Sequence, residues 1–302
     1  MPAFRAGCVL LLMGLLVLAG WPGLAGGQQD GAVVVLRVDG TVNPALVRYI
    51  DRGIGVAEKD GAAACVIVLS TPGGLLSSTE DIVRRISDSA IPVVVYVPRG
   101  SWAASAGAFI VLAGDVAAMA PGSVIGASTP IAGGGSQLSD DERAKAVNLA
   151  SQWMGAIAAD HGRNEAAAMA AVEQAASFTP DEARGLAPLF PNNQGYLGVE
   201  RLDPPLIDDA GADGIEDLVA RLESGIVLAS GEPFSIPPGG RISYVDATAI
   251  EGFLLAISDP TIAYLLVSIG MLGVLVEMLH PGVVLPGVLG VICLLLGVYS
   301  VG

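Results

Sequence analysis

Histidine, cysteine and basic side chains are all scarce in this chain of 302 residues. There are two histidines, His161 and His280, so a Ser-His-Asp triad has little to draw on. His280 falls beside an apolar C-terminal run. His161 sits in a His-Gly-Arg-Asn turn at a predicted helix end, where an imidazole caps carbonyls. The three cysteines, Cys8, Cys65 and Cys293, lie in apolar end segments or open a core strand; their spacing makes neither a disulfide framework nor a zinc site. Fifteen Lys and Arg stand against 30 Asp and Glu, a formal net charge of -15, which speaks against nucleic acid as a partner.

Apolar residues are abundant instead, at 52% with a mean hydropathy of +0.62, and the excess sits at the two ends. Residues 1–25 carry one basic side chain, Arg5, then an apolar run over 8–19, then Gly23-Leu-Ala. That pattern predicts a secretory signal peptide cut near Ala25 or Gly26, or an uncleaved anchor; either one exports the domain behind it. Residues 261–279 and 283–302 form two further apolar runs, each near the ~20 residues a spanning helix needs. Joined by His280-Pro-Gly, they predict a transmembrane helical hairpin over 257–302. Glu277 is costly in lipid, so it should sit at the interface or face a partner helix.

Between the ends the pattern alternates strand and helix. Residues 32–38, 65–69 and 92–97 are continuous apolar runs, as in a parallel sheet covered on both faces. Asn43 caps a helix from Pro44, Ser77 or Ser78 caps the next, and a short buried helix spans 105–112. Such alternation predicts an α/β domain with right-handed crossovers over 31–230. Residues 131–139 read as a mobile loop. Ser139, Asn164 and Thr179 each open a later helix. A Pro- and Asn-rich insert falls at about 188–206, and 224–246 suggest an antiparallel strand pair split by Pro237-Pro-Gly-Gly. Residues 231–256 read as a short connecting segment. Asp140, Asp141 and Glu142 read as helix-start charges, Asp208 and Asp209 as solvated loop residues.

The chemistry is concentrated in residues 70–130. Ser70-Thr-Pro-Gly-Gly-Leu-Leu and Ser101-Trp-Ala-Ala-Ser-Ala-Gly-Ala-Phe each succeed a strand and end in a helix start, where backbone N–H groups are unpaired. Small neighbours let a substrate backbone approach the Ser105 hydroxyl. A nucleophile beside a backbone oxyanion hole is the make-up of an acyl-transfer site.

These motifs occur in order with Ala120-Pro-Gly-Ser-Val-Ile-Gly-Ala, Lys145-x-x-Asn148, His161-Gly-Arg-Asn164 and Thr179-Pro-Asp-Glu-Ala. Ile257-Ser-Asp-Pro-Thr-Ile-Ala-Tyr-Leu-Leu and Pro281-Gly-Val-Val-Leu-Pro-Gly-Val-Leu-Gly complete the series. Together they resemble the NfeD family of membrane-bound serine proteases, or stomatin operon partner proteins, which carry the fold of the Clp protease subunit. The resemblance covers about 32–302, less the insert. It implies an α/β, Clp protease/crotonase-like domain with parallel-sheet βαβ units, followed by C-terminal transmembrane helices. It makes Ser105 the nucleophile and Lys145 the general base, with the N–H groups of Gly74 and Ala106 as the oxyanion hole and no metal or cofactor. A lysine that accepts a proton must be neutral, which calls for burial among apolar groups. Gly73, Leu75, Ser128 and Thr129 are the expected substrate-binding residues, with Ser128 and Thr129 also candidates to orient Lys145. Where Clp-type enzymes have their catalytic acid, this chain has Ala175 and Ala176, which suits a two-residue mechanism. The resemblance also implies apolar substrates, a stomatin-like membrane protein as substrate or partner, a homodimer, and a multi-pass cell-membrane protein with its protease domain exported. A catalytically inactive scaffold organising stomatin-type assemblies is the alternative; acyl-CoA chemistry of the crotonase kind is less favoured, since it needs no serine nucleophile.

Overall fold

The computed structural model describes residues 31–131, 139–280 and 284–301; the expected signal peptide and most of the 131–139 loop lie outside them. Strand β1 (Val33–Asp39) turns at Gly40 into Asn43, whose side chain accepts from the N–H groups of Ala45 and Leu46 and so starts α1 (Pro44–Lys59). Strand β2 (Ala64–Ser70) comes next, then α2 (Leu76–Ser87), β3 (Val93–Val97) and β4 (Trp102–Ala104). Helix α2 has Leu75 at its N-cap and no side-chain cap. Ser77 and Ser78 lie inside its first turn, because the Gly73-Gly74 turn brings the chain into helix before either serine.

Helix α3 (Ala106–Ala113) is buried along its whole length. Strands β5 (Val116–Met119) and β6 (Val124–Gly126) come after it. Helix α4 (Asp140–Asp160) opens with a capping box between Ser139 and Glu142, and α5 (Glu165–Glu173) with an Asn164 cap. His161 Nδ1 lies 3.1 Å from the Ile157 carbonyl at the end of α4. Strand β7 (Ser177–Phe178) and the one-turn α6 (Pro180–Ala183) precede the insert. The insert is not wholly irregular: it forms α7 (Pro191–Leu197), fastened where Asn193 Nδ2 donates to the Ser177 carbonyl at 2.8 Å.

Strand β8 (Asp209–Ala210), α8 (Ile215–Ser224), β9 (Ile226–Val227), β10 (Pro233–Phe234) and β11 (Ile242–Tyr244) complete the domain. The main sheet runs β11-β1-β2-β3-β5-β8, and every neighbouring pair is parallel. Along each central strand alternate residues enter different cores. Leu36, Ile67 and Val95 pack with α1, α2 and α3, whereas Val35, Val66 and Val94 pack with α8. The two-sided burial explains their unbroken apolar runs. Sequence places the antiparallel pair on either side of Pro237. It forms instead between β9 and β10, both before that proline, and β11 leaves to pair with β1. Residues 231–256 therefore contribute a sheet edge as well as a connection.

Two further corrections concern carboxylates. Asp208 and Asp209 are buried, not solvated. Asp208 pairs with Arg163 with both side chains out of water, and also accepts from the Ala117 and Ala229 N–H groups at 2.8 Å. The sheet edge at β8 draws both aspartates inward, a long-range effect that a polar dipeptide does not disclose.

Helix α9 (Ala249–Ile257) leads through Ser258 and Asp259 into α10 (Pro260–Leu279), and α11 (Leu285–Val301) returns. Thr261–Leu279 is long and apolar enough to cross a membrane; the apolar part of α11, Leu285–Val298, is shorter. The two helices approach until their backbones touch. A Cβ on Gly273 would stand 2.5 Å from the Pro286 carbonyl oxygen and 2.9 Å from Gly290 Cα. Glu277 faces α11, with its Cβ 2.9 Å from where a Cβ on Gly287 would be.

Candidate active site

Strand β4 pairs with β6, which pairs with β7, and a bridge from Thr71 to Ala103 joins this small sheet to the end of β2. The bridge brings the Thr-Pro-Gly-Gly turn beside the turn that holds Ser105. Ser105 stands at the start of α3 with φ 52° and ψ -115°. A non-glycine residue there is strained, and neighbouring bonds hold it. Its N–H donates to the Gly126 carbonyl at 3.0 Å, and the Ser128 hydroxyl donates to its carbonyl at 3.2 Å.

Gly73 lies against the serine with φ +121°; a Cβ on it would be 2.7 Å from Ser105 Cβ and 3.2 Å from Oγ. Thr71 Oγ1 accepts from the Gly73 N–H at 3.0 Å. The adjoining chain is tied to the start of α1: Val42 N–H donates to the Gly73 carbonyl, and Leu75 N–H to the Val42 carbonyl, both at 2.9 Å. The Gly74 N–H takes part in neither bond. Ala106 is the first residue of α3, where an N–H has no acceptor within the helix. Leu75 and Leu76, about half exposed, come just after Gly74.

Helix α4 packs on α3 through Trp153 and Phe109, whose rings stack with centroids 4.6 Å apart. Only the C-terminal half of α4 is buried; Lys145 is exposed, eight residues or about 12 Å of helix before Trp153. Leu149, one turn on from Lys145, is 69% exposed. The apolar cover expected around the lysine is thus not supplied by the described residues of one chain. The hydroxyls of Ser128 and Thr129 each donate to a backbone carbonyl. The Ser128 hydroxyl is committed to the Ser105 and Gly126 carbonyls, and Thr129 Oγ1 donates to the Val172 carbonyl at 2.6 Å. Ala175 has φ 51° and Ala176 is buried; neither side chain offers an acid or base. Among the described residues no cluster of His, Cys, Asp or Glu could hold a metal. One compositional signal favouring Lys145 is easily overlooked: the chain has only one other lysine, Lys59, exposed at the end of α1.

Residues 32–185 match the family model of the NfeD1b N-terminal domain, and residues 261–302 that of the NfeD integral membrane domain. The chain belongs to the NfeD family. Membrane-bound protease PH1510 of Pyrococcus horikoshii is 32% identical over 97% of this chain and 63% of its own length. Membrane protein NfeD1b of Bacillus subtilis is 31% identical over 90% of this chain and 56% of its own. The chain therefore spans less than two thirds of either relative. Solved structures of the 1510-N membrane-bound stomatin-specific protease share the fold. A serine-to-alanine mutant superposes with a TM-score of 0.59 at 30% identity, covering 72% of this chain and 99% of that one. A lysine-to-alanine mutant in complex with a substrate peptide gives 0.60 at 28%, covering 75% and 97%. The α/β architecture with its parallel sheet is thus shared with these relatives.

Proposed function

We propose that the chain is a membrane-tethered serine endopeptidase working through a Ser105–Lys145 dyad. The observation that carries this reading is the strained Ser105, held against Gly73 at a helix start; the protease named among the relatives, with its serine and lysine variants, supports it, and we assign the oxyanion hole to the Gly74 and Ala106 N–H groups. Ser105 Oγ attacks a peptide carbonyl and its proton passes to Lys145 Nζ. The oxyanion is held by the two N–H groups. The proton then goes to the leaving amine, and water, deprotonated by the same lysine, releases the acyl group and restores the hydroxyl.

The exposed leucines after Gly74 suit an apolar substrate segment, and by likeness to the stomatin-specific relative we assign a stomatin-like membrane protein as substrate. The cover that Lys145 needs comes, in this reading, from a second copy seated on the Lys145–Leu149 face, as in a homodimer, together with the bound substrate. An N-terminal signal peptide exports the domain, and α10 and α11 both cross the membrane.

Exposure of Lys145 also favours a second reading, an inactive scaffold for stomatin-type assemblies. A fluorophosphonate probe separates them. Stoichiometric labelling that Ser105→Ala abolishes, with cleavage of an apolar peptide lost in Ser105→Ala and Lys145→Ala, is expected of the peptidase. No labelling from neutral to alkaline pH, with the parent and both variants equally inert, would establish the scaffold.

A further inference from the structure

Helix α9 stands between the domain and the first membrane-length helix, with two residues, Ser258 and Asp259, separating it from α10. Its outward face is Ala249, Ile250, Phe253 and Ala256, with Ile250 at 73% and Phe253 at 53% exposure. That face carries no charge or hydrogen-bonding side chain. The only ionisable group on the helix, Glu251, is engaged on another side. Its carboxylate accepts from the Thr248 N–H and hydroxyl, completing the N-terminal capping box. It also accepts from Arg52 Nε at 2.9 Å and Nη2 at 2.7 Å. Arg52 Nη2 donates to the Asp246 carbonyl as well, and Leu255 packs on the main core. The rotation of α9 about its axis is thereby set, and Ile250 and Phe253 cannot turn inward.

Geometry keeps that face close to the membrane surface. Four residues of helix and three extended steps put Phe253 within about 16 Å of Pro260, where the membrane-length run begins. The headgroup region on one side of a bilayer is about 5–7 Å deep, so a helix lying along the surface rather than standing off it keeps Phe253 within that layer. Arg48 lies one turn before Arg52 on α1 and is exposed. A short helix with an uncharged apolar face, joined within two residues to a spanning helix and fastened on its other side by Arg52, fits an interfacial position.

We propose that α9 lies in the headgroup–acyl boundary with Ile250 and Phe253 inserted among phospholipid chains. The Arg52–Glu251 pair then fastens α1, and with it the whole domain, at a fixed attitude to the membrane. The inference needs only the membrane domain and stands whether or not the chain is a peptidase.

The full chain in nanodiscs of phosphatidylcholine and phosphatidylglycerol tests it, one copy per disc, with tryptophan introduced as Phe253→Trp or Ile250→Trp and Glu216→Trp on α8 as the aqueous control. Emission is read as the difference from the parent. Chain-brominated phospholipid is expected to quench the added residue at 250 or 253 at least twofold, with blue-shifted emission, and to leave the control unchanged. Emission at the aqueous wavelength with no quenching overturns the proposal. So does blue-shifted emission that bromine does not quench, which would place the face against protein. Should both tryptophan variants misfold, hydrogen exchange at 249–257 decides on the parent: slower exchange in discs than in detergent at equal pH supports insertion, and equal exchange overturns it.

Discussion

Gly73 and Ser105 lie side by side where the Thr71–Ala103 bridge joins the two sheets: a methyl group on Gly73 would stand 2.7 Å from Ser105 Cβ and 3.2 Å from its Oγ. The Thr-Pro-Gly-Gly motif is thereby explained at one of its positions. Both the φ of +121° and the missing side chain are needed for the serine to occupy its strained turn.

Gly73→Ala should therefore damage the site more than the fold. The variant is expected to keep its circular dichroism spectrum and to lose about a hundredfold or more in peptide hydrolysis, the scale of a removed oxyanion donor. Hydrolysis at the parental rate would mean that the turn relaxes freely and that its glycine is not required there.

The buried Arg163–Asp208 pair is predicted to be a stability determinant. Arg163 also donates to the Leu112 and Gly114 carbonyls, so Arg163→Met strands a carboxylate and two carbonyls in the core. Removing one member of a buried pair costs about 3–5 kcal/mol. Denaturant unfolding should report a loss of that size, against a small effect for Arg84→Met, whose partner Asp81 is exposed.

The hold of α9 on α1 should be acid-labile. Hydrogen bonding from Arg52 is the largest influence on Glu251 and lowers it from the ordinary 4.5 to about 2. A carboxylate depressed in the folded state contributes stability above its unfolded value and loses it as pH falls through the folded one. The stability difference between the parent and Glu251→Gln should be constant above about pH 5 and shrink between 4.5 and about 2. A difference unchanged down to pH 2 would show that the pair contributes nothing.

Gly273→Leu should force α10 and α11 apart, since the Pro286 carbonyl oxygen lies 2.5 Å from the Cβ position and close helix contact in lipid depends on small residues. A lower thermal midpoint in detergent, with soluble-domain signals unchanged, is the expected result. Gly252→Leu, where a Cβ meets nothing within 4 Å, serves as the tolerant control.

Local pattern was enough for much of this molecule. The unbroken apolar runs of β1, β2 and β3, the caps at Asn43, Ser139, Asn164 and Thr179, and the order of the glycine- and serine-rich motifs were legible because each depends on residues a few positions apart. So was the α/β class that their alternation dictates. Features that depended on distant parts of the chain were not legible. The pairing of β11 with β1, the burial of Asp208 against Arg163, the commitment of the Ser128 and Thr129 hydroxyls to carbonyls, and the exposure of Lys145 all depend on which surfaces meet after folding. A side chain's surroundings come from strands and helices tens or hundreds of residues away, and the identity of its own neighbours in sequence carries no record of them.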